Sequence, residues 1–273
     1  METIRPHDLP DFENPPVVET VLAVQFRPLR RMRAAHFGLF WNEIRGLFPV
    51  TEERPPLDPL IEKFPEPVNR PLPLRPPPGG PPPLPRVWYI HRNQNELLQL
   101  QADRLIRNWR KIGDEDAYPR YEIVRQRFDE DFQLFQRFAA REDLGPIEVN
   151  QCEITYVNHI VAGDGWTAHE DIGEVLTVWK QPGGPFPGKA EDVAFHARFV
   201  IPGPNGHPAG RLHVDVQPAF RRRDNKPIFV LNLTARGMAG DATGFFDLGR
   251  EWIVRSFAEM TTTQMHQVWR RRH

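Results

Sequence analysis

Cysteine is almost missing from this chain. Cys152 is the single example in 273 residues, so an internal disulfide and a zinc site built on several cysteines are both excluded. The fold does not depend on an oxidising compartment. Lysine is scarce too, five of the 35 basic residues, a bias that reads as genome composition. Neither sign of charge is in excess: 35 basic and 36 acidic residues leave a formal net charge of -1, which argues against a general binder of polyanions. No stretch approaches the roughly 20 apolar residues of a membrane span. Met1 to Pro10 lacks the charged segment and apolar run of a signal peptide. The expected location is the cytoplasm, without membrane contact.

Recognisable catalytic motifs are missing as well. Gly163-Asp164-Gly165-Trp166 lacks the strand-to-helix phosphate fingerprint, and the chain holds no full G-x-G-x-x-G, no Walker A lysine and no G-x-S-x-G elbow. Cys152 falls in the middle of an expected strand, where an inert buried thiol is expected rather than a nucleophile. No catalytic residue, metal or cofactor is assigned on this reading.

Proline is what the chain has in excess: 30 residues, 14 of them within 54–85. Proline lacks the donor that helices and ladders need, so this segment is expected to be extended or disordered. It reads either as a long loop inserted between elements of one domain or, around Pro76-Pro77-Pro78-Gly79-Gly80-Pro81-Pro82-Pro83, as a polyproline ligand for an SH3-like partner. The remainder is apolar enough for a real core.

Val17 to Phe26 alternates as a strand with apolar residues on both faces, and so as a central one. Phe37, Phe40, Trp41, Ile44, Leu47 and Phe48 follow helical spacing up to Pro49. Arg86 to Arg92 and Leu97 to Trp109 read as a hairpin about Asn93-Gln94-Asn95-Glu96. A long helix follows near 117–141, closed by Gly145-Pro146. The chain then restarts: a strand at 147–161, a short helix near 169–180, a Pro/Gly loop, strands near 193–201, 211–220 and 227–236, and a long helix from about 243 to 270. The expected class is therefore α+β. Two similar β-α-β-β-α halves, 1–145 with the insert 54–85 and 146–273 with one extra strand, form one or two antiparallel sheets covered on one face by long helices. Pro16-Val17 to Phe26 echoes Pro146-Ile147 to Tyr156, and Leu98 to Ala102 echoes Val230 to Ala235.

The second-half hairpin invites a register in which residue numbers sum to 413. Val193 then faces Phe220, Phe199 faces Val214, and Arg198 meets Asp215 as a cross-strand ion pair, while shifts by two keep the faces and lose that pair. The polar face carries His196, Arg198, His213, Asp215, Gln217, Asn232, Thr234 and Arg236. That face is either solvated or a binding surface. His196, Arg198, His213, Asp215, Asn232 and Arg236 are the candidate partner- or ligand-binding residues. A metal on His196, His213 and Asp215 is geometrically possible but lacks any strong ligand spacing. Asp164 to Glu174 reads as helix N-terminal acids. Arg30, Arg31 and Arg33, Arg221-Arg222-Arg223, and Arg270-Arg271-Arg272 are local basic clusters without interleaved stacking aromatics. The end of the last helix, Thr261-Thr262-Thr263 to Trp269, packs either on the first half or on a second subunit of a homo-oligomer, with an exposed Trp269 marking an interface.

Asn14-Pro15-Pro16-Val17-Val18-Glu19 with a strand to Phe26, a helix running into Phe48-Pro49, and a last helix with Phe257, Thr261-Thr262, His266 and Trp269 resemble a sporadically distributed family of uncharacterised bacterial proteins of about this length. The resemblance spans the chain. It implies a component of a mobile or defence-type locus, such as a toxin–antitoxin system, and no catalytic residue carries over with it. The proline insert is a departure from that pattern. Three functions remain open: a non-enzymatic protein that binds a protein partner, a small-ligand-binding protein or enzyme with a pocket between sheet and helices, and a nucleic-acid-binding protein.

Overall fold

The computed structural model describes residues 9–65, 83–182, 184, 188, 190–203, 206–238 and 244–272. In chain order the elements are β1 (Val17–Phe26), α1 (Ala34–Ile44), β2 (Val50–Arg54), β3 (Arg86–Ile90), β4 (Glu96–Gln101), β5 (Arg104–Arg110), α2 (Tyr121–Arg141), β6 (Val149–Val161), α3 (Ile172–Val175), β7 (Phe195–Pro202), β8 (Pro208–Phe220), β9 (Pro227–Gly237), α4 (Phe245–Met260) and α5 (Thr263–Val268). All nine strands join one antiparallel sheet in the order β2-β3-β4-β5-β1-β6-β9-β8-β7. The first strand of each half, β1 or β6, pairs with the last strand of its own half, β5 or β9, and β1 and β6 pair with each other at the centre. The sheet is thus continuous across residues 145–146. Among the described residues no helix is long and apolar enough to cross a membrane.

Antiparallel partners share a face, so the registers sort the sheet into two chemistries. On one face lie Leu22, Val24, Leu98, Leu100, Leu105, Ile154, Leu212, Val214, Leu231 and Leu233, all fully buried. Phe26 stacks on Phe135 of α2 at 5.8 Å, and Phe128 meets Phe246 of α4 edge-on at 5.0 Å. Each such ring contributes about 1.5–3 kcal/mol on burial. At the second long helix, the paired Gly210 and Gly237 provide the seat for Phe245: a Cβ on either would meet its ring at 2.6–2.7 Å.

Several elements depart from the sequence expectation. The edge strand β2 carries no apolar alternation, and only pairing with β3 reveals it. The run Leu97 to Trp109 is two strands, because the chain reverses at Ala102-Asp103 without a glycine to announce it. Hence the first half has four strands after α1 rather than two, and the echo of Leu98–Ala102 with Val230–Ala235 matches β4 to β9, whereas the strand placed like β9, next to the long helix and paired with a central strand, is β5. The helix expected near 169–180 shrinks to a 3-10 turn, His169–Asp171, and α3. The terminal helix breaks at Thr261, whose hydroxyl bonds to the Phe257 carbonyl (2.6 Å) and to His266 (2.9 Å), and Thr262 caps α5. Trp269 is buried against Phe12 and Phe257 of its own chain, so it marks no exposed interface.

One polar cluster sits on the apolar face. Arg107 is buried with Leu22 and Leu98 as strand neighbours, and its guanidinium pairs with both Glu96 and Asp131. Arg127 adds a second bond to Glu96 at 2.6 Å. Burial opposes the charge of Glu96, but Arg107, Arg127 and the Asn93 amide outweigh it and its pKa is lowered; at Asp131 burial wins and the pKa is raised. Removing the shared cation leaves Asp131 without its cation and Glu96 with Arg127 alone. Arg107→Met is expected to cost about 3–5 kcal/mol, and replacing Arg107, Glu96 and Asp131 together by apolar residues to recover most of that loss. Urea unfolding of the two variants checks both values.

Candidate functional site

The opposite, polar face of the sheet holds all six candidate residues, and the registers put them in two groups. At the β7 edge, His196 lies opposite Asp215 and bonds to it through Nδ1 at 2.7 Å, and Arg198 lies opposite His213. The hairpin thus runs two residues away from the expected register: Phe199 faces Leu212 rather than Val214, and Asp215 pairs with His196 rather than Arg198. The faces are kept, as period-2 alternation demands. In the observed register Gly210, which with Gly237 seats Phe245, lies opposite Ile201. Further in, His213 and Arg236 belong to another arrangement. Asn232 sits between the groups opposite Asp215, with its Oδ1 buried and without a partner among the described residues. His196, His213 and Asp215 do not converge on one point, since His213 turns its Nε2 to Glu62. Among the described residues no group of three or more His, Cys, Asp or Glu side chains could hold a metal ion.

Glu62 belongs to the proline-rich segment. Residues 55–65 leave β2 at the sheet edge and run back across the polar face as a strap; Pro76 to Pro82, the core of the polyproline cluster, lie outside the described residues. Under the strap runs a row of buried polar side chains contributed by neighbouring strands: Gln101 of β4 opposite Arg104 of β5, Arg104 opposite Gln25 of β1, and Gln25 opposite Gln151 of β6. The Leu57 N–H donates to Gln101 Oε1 (2.8 Å), and Gln101 Nε2 donates back to the Leu57 carbonyl (2.9 Å). Arg104 donates to the Asp58 carbonyl (2.9 Å), the Leu60 N–H to Gln25 Oε1 (3.0 Å), and the Glu62 N–H to Gln151 Oε1 (2.9 Å). From β4 to β6 is three strand spacings, about 14 Å. Five residues of polyproline-like chain reach about 16 Å. The strap is therefore extended and crosses perpendicular to the strands.

At its far end the Glu62 carboxylate enters a basic nest. Arg211 pairs with it, His213 Nε2 reaches it at 2.6 Å and Arg236 at 3.3 Å, while Arg236 is also held by Glu153 at 2.6 Å. Arg211 further stacks over the Phe64 ring, 4.4 Å from its centroid. Burial opposes the charge of Glu62, yet the His213 hydrogen bond and the positive charges of His213, Arg211 and Arg236 outweigh it, and its pKa is lowered. Apolar burial contributes little to this docking: Leu57, Leu60 and Ile61 are 37%, 52% and 48% exposed.

The candidate list thus omitted Glu62, Arg211 and the three glutamines. A signal for them exists in the pattern, because Gln25, Gln101 and Gln151 fall on the non-apolar phase of their strands, but only the register shows that they line up. The remaining clusters are chiefly self-neutralised. Arg221 pairs with Asp224 and Arg223 with Asp114, beside a depression of about 430 Å3 that also borders Arg110, Lys111 and His159. Burial and the charge of Arg221 lower the pKa of His159. Between the N-terminal segment, α4 and the apolar face lies a cavity of about 60 Å3, lined by Tyr118, Tyr156 and Arg250. His196, His213 and Asp215 lie on the other face, so they cannot furnish its polar groups.

The lowered pKa fixes the sign of a pH effect. Glu62 stabilises the folded state fully above the ordinary glutamate value of about 4.3, and this contribution fades as the pH falls through its lower folded value. Glu62→Gln is expected to lose about 2 kcal/mol near neutral pH. The gap between the two proteins in urea unfolding narrows as the pH is taken down to about 3; a gap independent of pH would contradict the ion-pair account. No family model, no curated protein and no solved structure matches the chain.

Proposed function

We propose that this chain is a non-enzymatic binding protein that holds a protein partner on the polar face of its sheet, with His196, Arg198, His213, Asp215, Asn232 and Arg236 as the contact residues. One observation carries the reading: side chains of this face already grip a stretch of polypeptide, backbone and carboxylate alike, without a ladder bond from any strand. A surface that was merely solvated would have no need of buried glutamines in register. We further infer that residues 1–145 and 146–273 are copies of one plan, with both long helices on the apolar face, supported by the matching placement of β1 with β5 and β6 with β9. The resemblance noted above supports a role in a mobile or defence-type locus.

A second reading, a small-ligand site between sheet and helices, draws support from the buried Arg250 Nε beside the cavity, which lacks a partner among the described residues. A space of about 60 Å3 suits a water or two better than a substrate.

The test begins with untagged protein purified from its native host and the companion that comes with it, identified by intact mass and peptide sequencing. His196→Ala with Arg198→Ala, both at the exposed β7 edge, is expected to weaken the purified pair by about tenfold in calorimetry while leaving the circular dichroism unchanged. Undiminished affinity removes the β7 side of this face from the interface.

A further inference from the structure

The strap shows what the polar face recognises, and this inference rests on the binding reading above. We propose that the face is a groove for an extended, acidic segment of the partner protein, and that residues 57–64 are the chain's own stand-in, displaced when the partner binds.

Three features point this way. First, the groove reads chain without reading sequence. Gln101, Gln25 and Gln151 take backbone N–H groups, and Arg104 and Arg211 take the carbonyls of Asp58 and Lys63. Any extended segment offers those groups. Second, one position is read by charge. Arg211, His213 and Arg236 surround a single carboxylate, so the guest needs a glutamate or aspartate five residues after the one over Gln101. Third, the stand-in is held chiefly by polar contacts over residues 57–62, with Leu57, Leu60 and Ile61 only partly withdrawn from solvent. A segment that buries little apolar surface lies at the low end of local stability. Its prolines at 55, 56 and 59 stiffen it and lower the entropy lost on docking. The strap's advantage over a guest is its tether, which supplies an effective concentration on the order of millimolar.

The inference predicts competition. The probe is a fluorescein-labelled peptide with the sequence of residues 55–65, titrated into the full chain and followed by anisotropy. Against the wild type it binds weakly, because the tethered copy fills the groove. Glu62→Arg drives the strap off the basic nest, and the peptide then binds at least about tenfold tighter. Replacing the peptide's glutamate by glutamine, or adding Arg211→Ala and Arg236→Ala to the Glu62→Arg chain, abolishes the gain. If Glu62→Arg fails to fold by circular dichroism, a Gly/Ser replacement of residues 56–64 at equal length vacates the groove instead. Equal binding to wild type and vacated chain, or binding indifferent to the peptide's glutamate, overturns the proposal. Neither result involves His196 or Arg198. A companion lost on His196→Ala with Arg198→Ala but indifferent to Glu62→Arg would therefore refute the stand-in and leave the binding reading intact.

Discussion

β1 and β6 pair along nearly their whole lengths, and without that pairing the polar row would not exist. Gln25 and Gln151 are direct partners across this seam, one from each half. The strap that they hold starts at the far edge of the first half and ends on Arg211, His213 and Arg236 of the second. Separate sheets would offer each half only part of the row, and Glu62 would have no nest to enter. The seam also sets the apolar side, since Leu22 and Ile154 meet across it and α4 approaches closely enough for Gly249 to contact Ile154 and Ala235.

Much of the sheet was legible from alternation and helical spacing. β1 falls where the pattern puts it, and β6 to β9 and α2 lie within a few residues. These elements bury one face of a periodic pattern, so the sequence must show the period. What was not legible follows other physics. β2 is an edge strand whose side chains are mostly exposed, and nothing in its composition opposes or favours pairing. The turn at Ala102-Asp103 has only the lone aspartate as a turn former, without glycine or proline beside it. The hairpin register differs from the expected one by two residues, a slip that alternation cannot resolve because it leaves every side chain on the same face. At the site, the six candidate residues share a face as alternation requires. Glu62, the partner of His213 and Arg236, lies 149 residues from Arg211 in sequence, in a segment whose prolines suggested an inserted loop or a polyproline ligand and gave no sign of a charged anchor.

That loop illustrates how proline and charge divide the work. Proline sets the backbone near the extended region but cannot say where the chain should lie. Exposed leucines cannot say it either. Glu62 can, because a carboxylate with one side chain in reach of two guanidiniums and an imidazole has a single low-energy position. Its lowered pKa is the measure of that fit: the favourable charges exceed the penalty of burial. The Arg107 cluster presents the contrast. There Arg107 is shared between Glu96, which Arg127 also holds, and Asp131, and the balance tips the other way for Asp131. At the Glu62 site three side chains converge on one carboxylate; at Asp131 the carboxylate has a single cation, which it shares.

The choice of glutamine beneath the strap follows from hydrogen-bond accounting. A chain crossing perpendicular to a sheet cannot form a ladder with it, since the strands have spent their backbone groups on one another. Any amide of the crossing chain that faces the sheet must still be satisfied, at a cost of about 1–3 kcal/mol if it is not. Only side chains can do this. A carboxylate would accept the N–H but bring an unwanted charge under the strap. A hydroxyl is too short to stand clear of the sheet. The glutamine amide is neutral, long, and carries donor and acceptor together, and Gln101 uses both on the two groups of Leu57. Three glutamines on β4, β1 and β6, with Arg104 of β5 between the first two, thus supply to residues 57–62 the partners that a ladder would have given.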